Sequence, residues 1–436
     1  MQKRIYVKCT LFMCGILVLA ASVCQADAVS PLASLKADVT TSTARSAFLQ
    51  RLHKEIIEEN LAQPLNEKDE ERWESAFWGA ELCLYKNATT LDAVRSALNS
   101  QSERSDSFTR AALEAACTLY PSELRREVER VAKQTKNPKN FAMAVNYVLR
   151  LQPRRAKEFL DLSRRKFPQG EHDPLLTQLR INLEKPFSEL LKQRPPLEDL
   201  LKWRLPGNTP VIFSFQRHNR DYHGLAVIRK ADGSFVRQND GNILAIPQLA
   251  RSMSNCPGYL TNGNTPQGVF SILGVQASDS SFIGPSPVLH TVLPNEETVA
   301  HYFHDQTRAS EKWSRELYRD ILPPSWRDYV PVYEAYAAGE IGRSEILVHG
   351  TTIDPEFYKG LPYYPNSPSM GCMCALELWS SDDGHCLHSD QLALVNAYTS
   401  LQGQNGFVVV VELDDQSRPV DIYDVLTSIL NAERSR

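Results

Sequence analysis

The sequence predicts a chain of two classes: an all-α, helical-repeat-like region first, then a mostly β domain with helices inserted into it. Three observations carry this. From about residue 40 to 195, charged and apolar residues alternate at three-to-four spacing with few β-branched runs, the pattern of amphipathic helices. Pro195, Pro196, Pro206 and Pro210 then break the pattern. Beyond them, short β-rich runs such as "PVIFSF", "GLAVIRK", "GVFSIL" and "FVVVVEL" stand between turn residues.

Residues 1–26 read as a secretory signal and not as part of the fold. Lys3, Arg4 and Lys8 precede an apolar run from Thr10 to Val23, with small residues at Cys24, Ala26 and Ala28. The run is short for a membrane span, and no later stretch is apolar enough to be one. The expected location is therefore the periplasm, with no transmembrane segment after the signal is removed. Its removal takes the net charge from −4 to −7. That balance argues against nucleic acid as a partner, which requires a basic face. Six cysteines remain in the mature chain: Cys83, Cys117, Cys256, Cys372, Cys374 and Cys386. An even count in an oxidising compartment suggests disulfides.

Residues 27–195 form the expected helical domain. "ELCLYKN", "AALEAACTLYPS" and "AMAVNYVLRLQP" recur every 32 to 34 residues, as stacked helix pairs do. An irregular bundle is the alternative. Cys83 and Cys117 hold matching places in the repeat, either as a bridge or as two buried thiols. This half is expected to dock a partner or to position the chain.

Residues 196–436 form the expected catalytic domain. "KADGS" is a hairpin signal between "GLAVIRK" and the further strand "SFVRQ". Residues 295–340 read as inserted helices. "EILVHG" is a strand that delivers His349 and Gly350. A loop of about twenty residues then leads to Ser369-Met370-Gly371-Cys372, which reads as the entry to a helix. A thiol at a helix N-terminus gains from the dipole there. A nearby imidazole takes its proton and returns it to a leaving amine. Gly371 allows close backbone approach, and the amides after it are candidates for an oxyanion site. Tyr363 and Tyr364, in "FYKGLPYYP", are expected to wall the substrate groove. Cys374 and Cys386 read as structural, with a bond between them as one possibility. No cofactor is called for, because the His301–His304 and His385–His388 pairs each lack a third metal ligand.

Three segments together resemble the L,D-transpeptidase family with its YkuD-like catalytic domain. These are Thr265-Pro266-Gln267-Gly268-Val269-Phe270, His349-Gly350, and Ser369-Met370-Gly371-Cys372. The similarity spans roughly residues 208–420. It implies that Cys372 is the acyl acceptor, that His349 is its base and that the Gly350 carbonyl orients the imidazole. It also implies a substrate, the tetrapeptide stem of peptidoglycan, and with it a cell-wall protein as the partner of the helical half. The chain departs from the family at Met370, where a histidine is usual, and at Cys374, where Arg or Asn is usual. Ser369, Met370 and Gly371 fall on the substrate side of the motif. Two other functions compete: an amidase or carboxypeptidase that only hydrolyses wall peptides, and a catalytically dead periplasmic adaptor. Every motif lies beyond residue 200, so the second half alone is expected to be acylated.

Overall fold

The computed structural model describes residues 31–401 and 405–435. The expected signal, residues 1–26, lies outside them. Among the described residues no helix is long and apolar enough to cross a membrane.

The first half is helical, and five of its eight longer helices start at a side-chain cap. The eight are α1 (Ser42–Arg51), α2 (Glu70–Leu82), α3 (Ala88–Asn99), α4 (Asp106–Leu119), α5 (Arg125–Gln134), α6 (Pro138–Leu151), α7 (Ala156–Lys166) and α8 (Pro174–Glu184). Asn87 and Thr90 close a capping box on α3, Ser105 accepts from Phe108 N at the start of α4, and Asn137 and Asp173 cap α6 and α8 ahead of a proline. The helices α2, α4, α6 and α8 contact one another in succession, while α3 lies on α4 and α5, α5 on α6, and α7 on α8. Phe108, Leu113, Phe141 and Val145 have no exposed surface in the resulting core. Burial of each such side chain contributes roughly 1.5–3 kcal/mol.

Two short helices, α9 (Phe187–Lys192) and α10 (Leu197–Lys202), lead into a closed eight-stranded barrel. Its strands are β1 (Val211–Gln216), β2 (Gly224–Arg229), β3 (Ala245–Leu249), β4 (Gly268–Gln276), β5 (Val288–Val292), β6 (Val348–His349), β7 (Met373–Ala375) and β10 (Gly406–Glu412). A separate pair, β8 (Glu377–Trp379) and β9 (Cys386–Ser389), lies between β7 and β10 in the chain. Around the barrel the order is β1, β10, β4, β5, β6, β7, β3, β2. The β1–β10 and β6–β7 pairs are parallel and the others antiparallel.

Both faces of the central strands are buried, so alternate residues feed two cores. Val211, Phe213 and Phe215 join Phe407, Val409 and Val411 on one side. Ile212 joins Phe270, Val408, Val410, Val348 and Met373 on the other. Short helices α11 (Val299–Tyr302), α12 (Arg315–Asp320) and α13 (Glu334–Glu340) lie between β5 and β6, and α14 (Asp390–Thr399) and α15 (Leu426–Arg434) follow later. The helix α10 packs on α15. At the other end of the chain, Leu35 and Ala37 pack on Trp379 and Cys386 of the β8–β9 pair.

Three sequence expectations need correction. "SFVRQ" forms only isolated bridges, Phe235 to Arg229 and Arg237 to Ile243. The strands β3 and β5 stand where no strand was expected. Cys372 leads into β7, not a helix. Cys-Met-Cys-Ala carries no β-branched residue, but β6 and β3 supply backbone partners on both sides, and that pairing overrides local propensity.

Candidate active site

The parallel β6–β7 pair determines which groups meet. It places Val348 beside Met373 and His349 beside Cys374. His349 is buried, and its Nδ1 lies 2.5 Å from the Gly350 carbonyl oxygen. A neutral ring in this position donates from Nδ1, which leaves Nε2 as an acceptor. Nε2 lies 3.5 Å from Sγ of Cys374. The thiol in contact with the imidazole is therefore Cys374, two residues beyond Cys372.

A buried carboxylate completes this cluster. The Glu377 side chain fills the space beside Gly350, where an added Cβ would stand 2.2 Å from the carboxyl carbon. It accepts from the hydroxyls of Ser286 and, at 2.6 Å, Ser389. Burial pushes Glu377 above the usual carboxylate range, against the pull of those hydroxyls and of His349. Burial also pushes His349 downward. The contact with Cys374 Sγ, the Gly350 carbonyl and Glu377 outweigh it, so the imidazole is held above its ordinary value.

Cys372 has different surroundings. Its Sγ accepts from Leu347 N at 3.3 Å and points at Glu345 O, 3.4 Å away. Burial pushes the thiol up to about 11, against the Leu347 amide and the Arg343 guanidinium. The side chain is nevertheless only half-buried as a residue, whereas Cys374 is 2 % exposed. The dipole of a helix N-terminus is not available to Cys372, because β7 follows it.

The turn before Cys372 is fixed by its neighbours. Ser369 N donates to Arg251 O at 3.1 Å, and Met253 N donates to Ser369 O at 2.9 Å. The Ser369 hydroxyl donates to Cys372 O and accepts from Gly371 N, both at 3.0 Å. Thr265 Oγ1 donates to Gly371 O at 2.8 Å, which joins the Thr-Pro-Gln-Gly turn to the Ser-Met-Gly-Cys turn. Gly371 has φ of +123°, and a Cβ there would meet Arg343 at 2.2 Å, so glycine is required. Ser369 is thus a brace for the turn. Of the amides after Gly371, Met373 N is engaged by Leu347 O at 2.9 Å, and Gly371 N itself by Ser369 Oγ.

The loop between His349 and Cys372 covers the cluster. Tyr358 has no exposed surface and donates to Leu82 O of α2 at 2.9 Å. Tyr363 is packed against Tyr358, with Arg251 over its ring at 4.6 Å. Tyr363 therefore packs inward, while Tyr364 is 39 % exposed and bonds Glu356 at 2.8 Å. Met370 is 37 % exposed on the turn.

Cys374 and Cys386 do not meet. The first lies on His349, and the second reaches His388 O at 3.3 Å. Cys83 does not meet Cys117 either. Its thiol reaches Gly79 O at 3.3 Å, while Cys117 faces Cys256. Sequence reasoning missed Cys374, Glu377 and Arg343. The available signal was the second cysteine itself, two residues beyond Cys372. Comparison with known proteins finds no matching family model, no similar curated protein and no similar solved structure, so the reading of this site rests on its residues and geometry.

Proposed function

We propose that the chain is an exported cysteine acyltransferase of the L,D-transpeptidase type, acting on peptidoglycan stem peptides. The observation that carries this is His349. Its Nδ1 is engaged by the Gly350 carbonyl and its Nε2 lies 3.5 Å from the thiol of Cys374, two residues beyond the end of the Ser-Met-Gly-Cys turn. In the proposed reaction the imidazole takes the thiol proton, and sulfur attacks the carbonyl of the scissile amide. The C–N bond breaks as the imidazolium protonates the leaving D-alanine amine. The thioester then passes to an amine of a second stem, a protein lysine or a D-amino acid, or to water.

We assign the acyl-carrying thiol to Cys372, the less buried of the two and the one that follows the glycine turn. This assignment requires the imidazole to turn from Cys374, which it contacts here, to Cys372. A second reading assigns it to Cys374, favoured by the 3.5 Å contact with His349. Mass spectrometry after incubation with disaccharide-tetrapeptide distinguishes them. The expected result is an adduct on Cys372 that survives Cys374→Ala and disappears in Cys372→Ala. The reverse pattern transfers the role to Cys374. Absence of an adduct from a folded wild-type chain would overturn the acyl-transfer reading in favour of a non-catalytic adaptor. Product analysis on muropeptides separates transfer, which yields dimers or exchanged D-amino acids, from hydrolysis.

A further inference from the structure

The loop just before Thr265 is inserted into the helical half. Cys256, Tyr259 and Leu260 have no exposed surface and belong to the same core as Phe108, Leu113 and Val145. Polar contacts fix the loop there. Arg150 of α6 donates to Ser254 O at 2.9 Å and Asn255 O at 2.6 Å. Asn146 donates to Tyr259 Oη at 3.0 Å, and Asn262 donates to Glu114 of α4 at 3.1 Å. Within this contact Cys117 of α4 and Cys256 of the loop, 139 residues apart in sequence, bring their sulfurs to 3.6 Å.

We propose that Cys117 and Cys256 are a disulfide-forming pair that, once oxidised, clips the helical half to the loop holding the Ser369–Cys372 turn. The sulfurs are in van der Waals contact at 3.6 Å, and a bond requires them to close to about 2 Å. The two thiols are also unequal. Arg150 Nη2 lies 3.5 Å from Cys256 Sγ, a cation beside that sulfur alone of the two, and it draws the Cys256 thiol downward. Cys256, on the loop that lifts out, is taken as the attacking sulfur; the reverse order gives the same bond.

The oxidant is a small-molecule or protein disulfide. The Cys256 thiolate attacks one of its sulfurs, breaks the S–S bond and releases one thiolate. Cys117 then loses its proton to solvent and attacks Cys256 Sγ of the mixed disulfide, expelling the second thiolate. The pair gives up two electrons and two protons, and the oxidant becomes two thiols. Both cysteines are buried, so the exchange takes place during folding or when the loop lifts out of the helical core. The bond reports on the site because the same loop carries Gly263 and Asn264, whose carbonyls bind Arg343, and leads to Thr265, which binds Gly371. This inference is independent of the acyl-transfer reading.

The test uses the full chain, reduced and then incubated with glutathione disulfide in urea dilute enough to leave it folded but able to open locally. A parallel sample is refolded from the unfolded, reduced state in the same redox buffer. Free thiols are blocked with N-ethylmaleimide, and peptides are mapped without reductant. A Cys117–Cys256 linked peptide is expected as the dominant cross-link. Thermal unfolding of the oxidised chain should rise by roughly 5–10 °C, the scale for closing so long a loop. Amide exchange across residues 252–265 and 369–372 should slow by at least about tenfold. Blocking of both Cys117 and Cys256 in both samples, or a bond from Cys256 to another cysteine, overturns the pair. A linked chain with unchanged exchange at residues 369–372 overturns the clip.

Discussion

At the residue scale, His349 sets the pH behaviour expected of the site. A general base must be neutral, so acylation rises with pH as the imidazole loses its proton. The contact with Cys374 Sγ, the Gly350 carbonyl and Glu377 hold that proton on. The inflection is therefore expected above the ordinary imidazole value of about 6.5. The same raised value stabilises the fold fully below about 6.5 and loses that contribution as pH rises through the folded value. Replacing Glu377 by Gln removes a charge that favours the imidazolium, so the inflection should move to lower pH. Glu377 acts through His349, and an unmoved pH profile for Glu377→Gln in single-turnover acylation would remove that role. His349→Ala should cost about 10²- to 10⁴-fold in the same assay; a mild loss would place the base elsewhere. Met370 is half-exposed on the turn. We expect Met370→His to leave acylation within tenfold, about 1.4 kcal/mol of barrier. If that change instead creates activity from none, the natural chain is a binding relic.

At the element scale, the sequence identified the pieces of the candidate site better than their contacts. The strand end at His349 and the Thr-Pro turn were legible because each carries a local signal, a β-rich run into His-Gly or a turn dipeptide before alternating residues. The partner of His349 was not. It depends on the parallel register of β6 against β7, a tertiary fact with no local signature, and Cys-Met-Cys-Ala has no strand propensity of its own to announce it. The link between the two turns was equally hidden, because Thr265 and Gly371 are 106 residues apart. That link gives a prediction. Thr265→Val keeps the shape and deletes the bond to the Gly371 carbonyl, which is buried. We expect a loss of about 1–3 kcal/mol by chemical denaturation, with slower acylation as the turn loosens. Unchanged stability and rate together would mean that Ser369 and Arg251 suffice to hold the turn.

At the scale of the whole molecule, the two halves are more interdependent than the sequence suggested. All the motifs lie beyond residue 200, so the second half was expected to stand alone. The structure places Cys256, Tyr259 and Leu260 in the helical core and ties Tyr358, in the loop over His349, to Leu82 of α2. Truncation at residue 200 would leave those three side chains without their packing and the Tyr358 hydroxyl without its acceptor. Loss of packing around one buried large side chain costs about 2–5 kcal/mol, which is a substantial part of the 5–15 kcal/mol that holds a domain folded. We therefore expect residues 201–436, produced alone, to unfold at least about 10 °C below the full chain and to aggregate through the exposed loop. Thermal unfolding and size-exclusion chromatography of the two chains check this. A monomeric truncation that melts with the full chain and is acylated at the same rate would mean that the helical half neither supports nor shapes the site. If the truncation is folded but not acylated, the helical half holds the Ser369–Cys372 turn in place through the loop of residues 252–264.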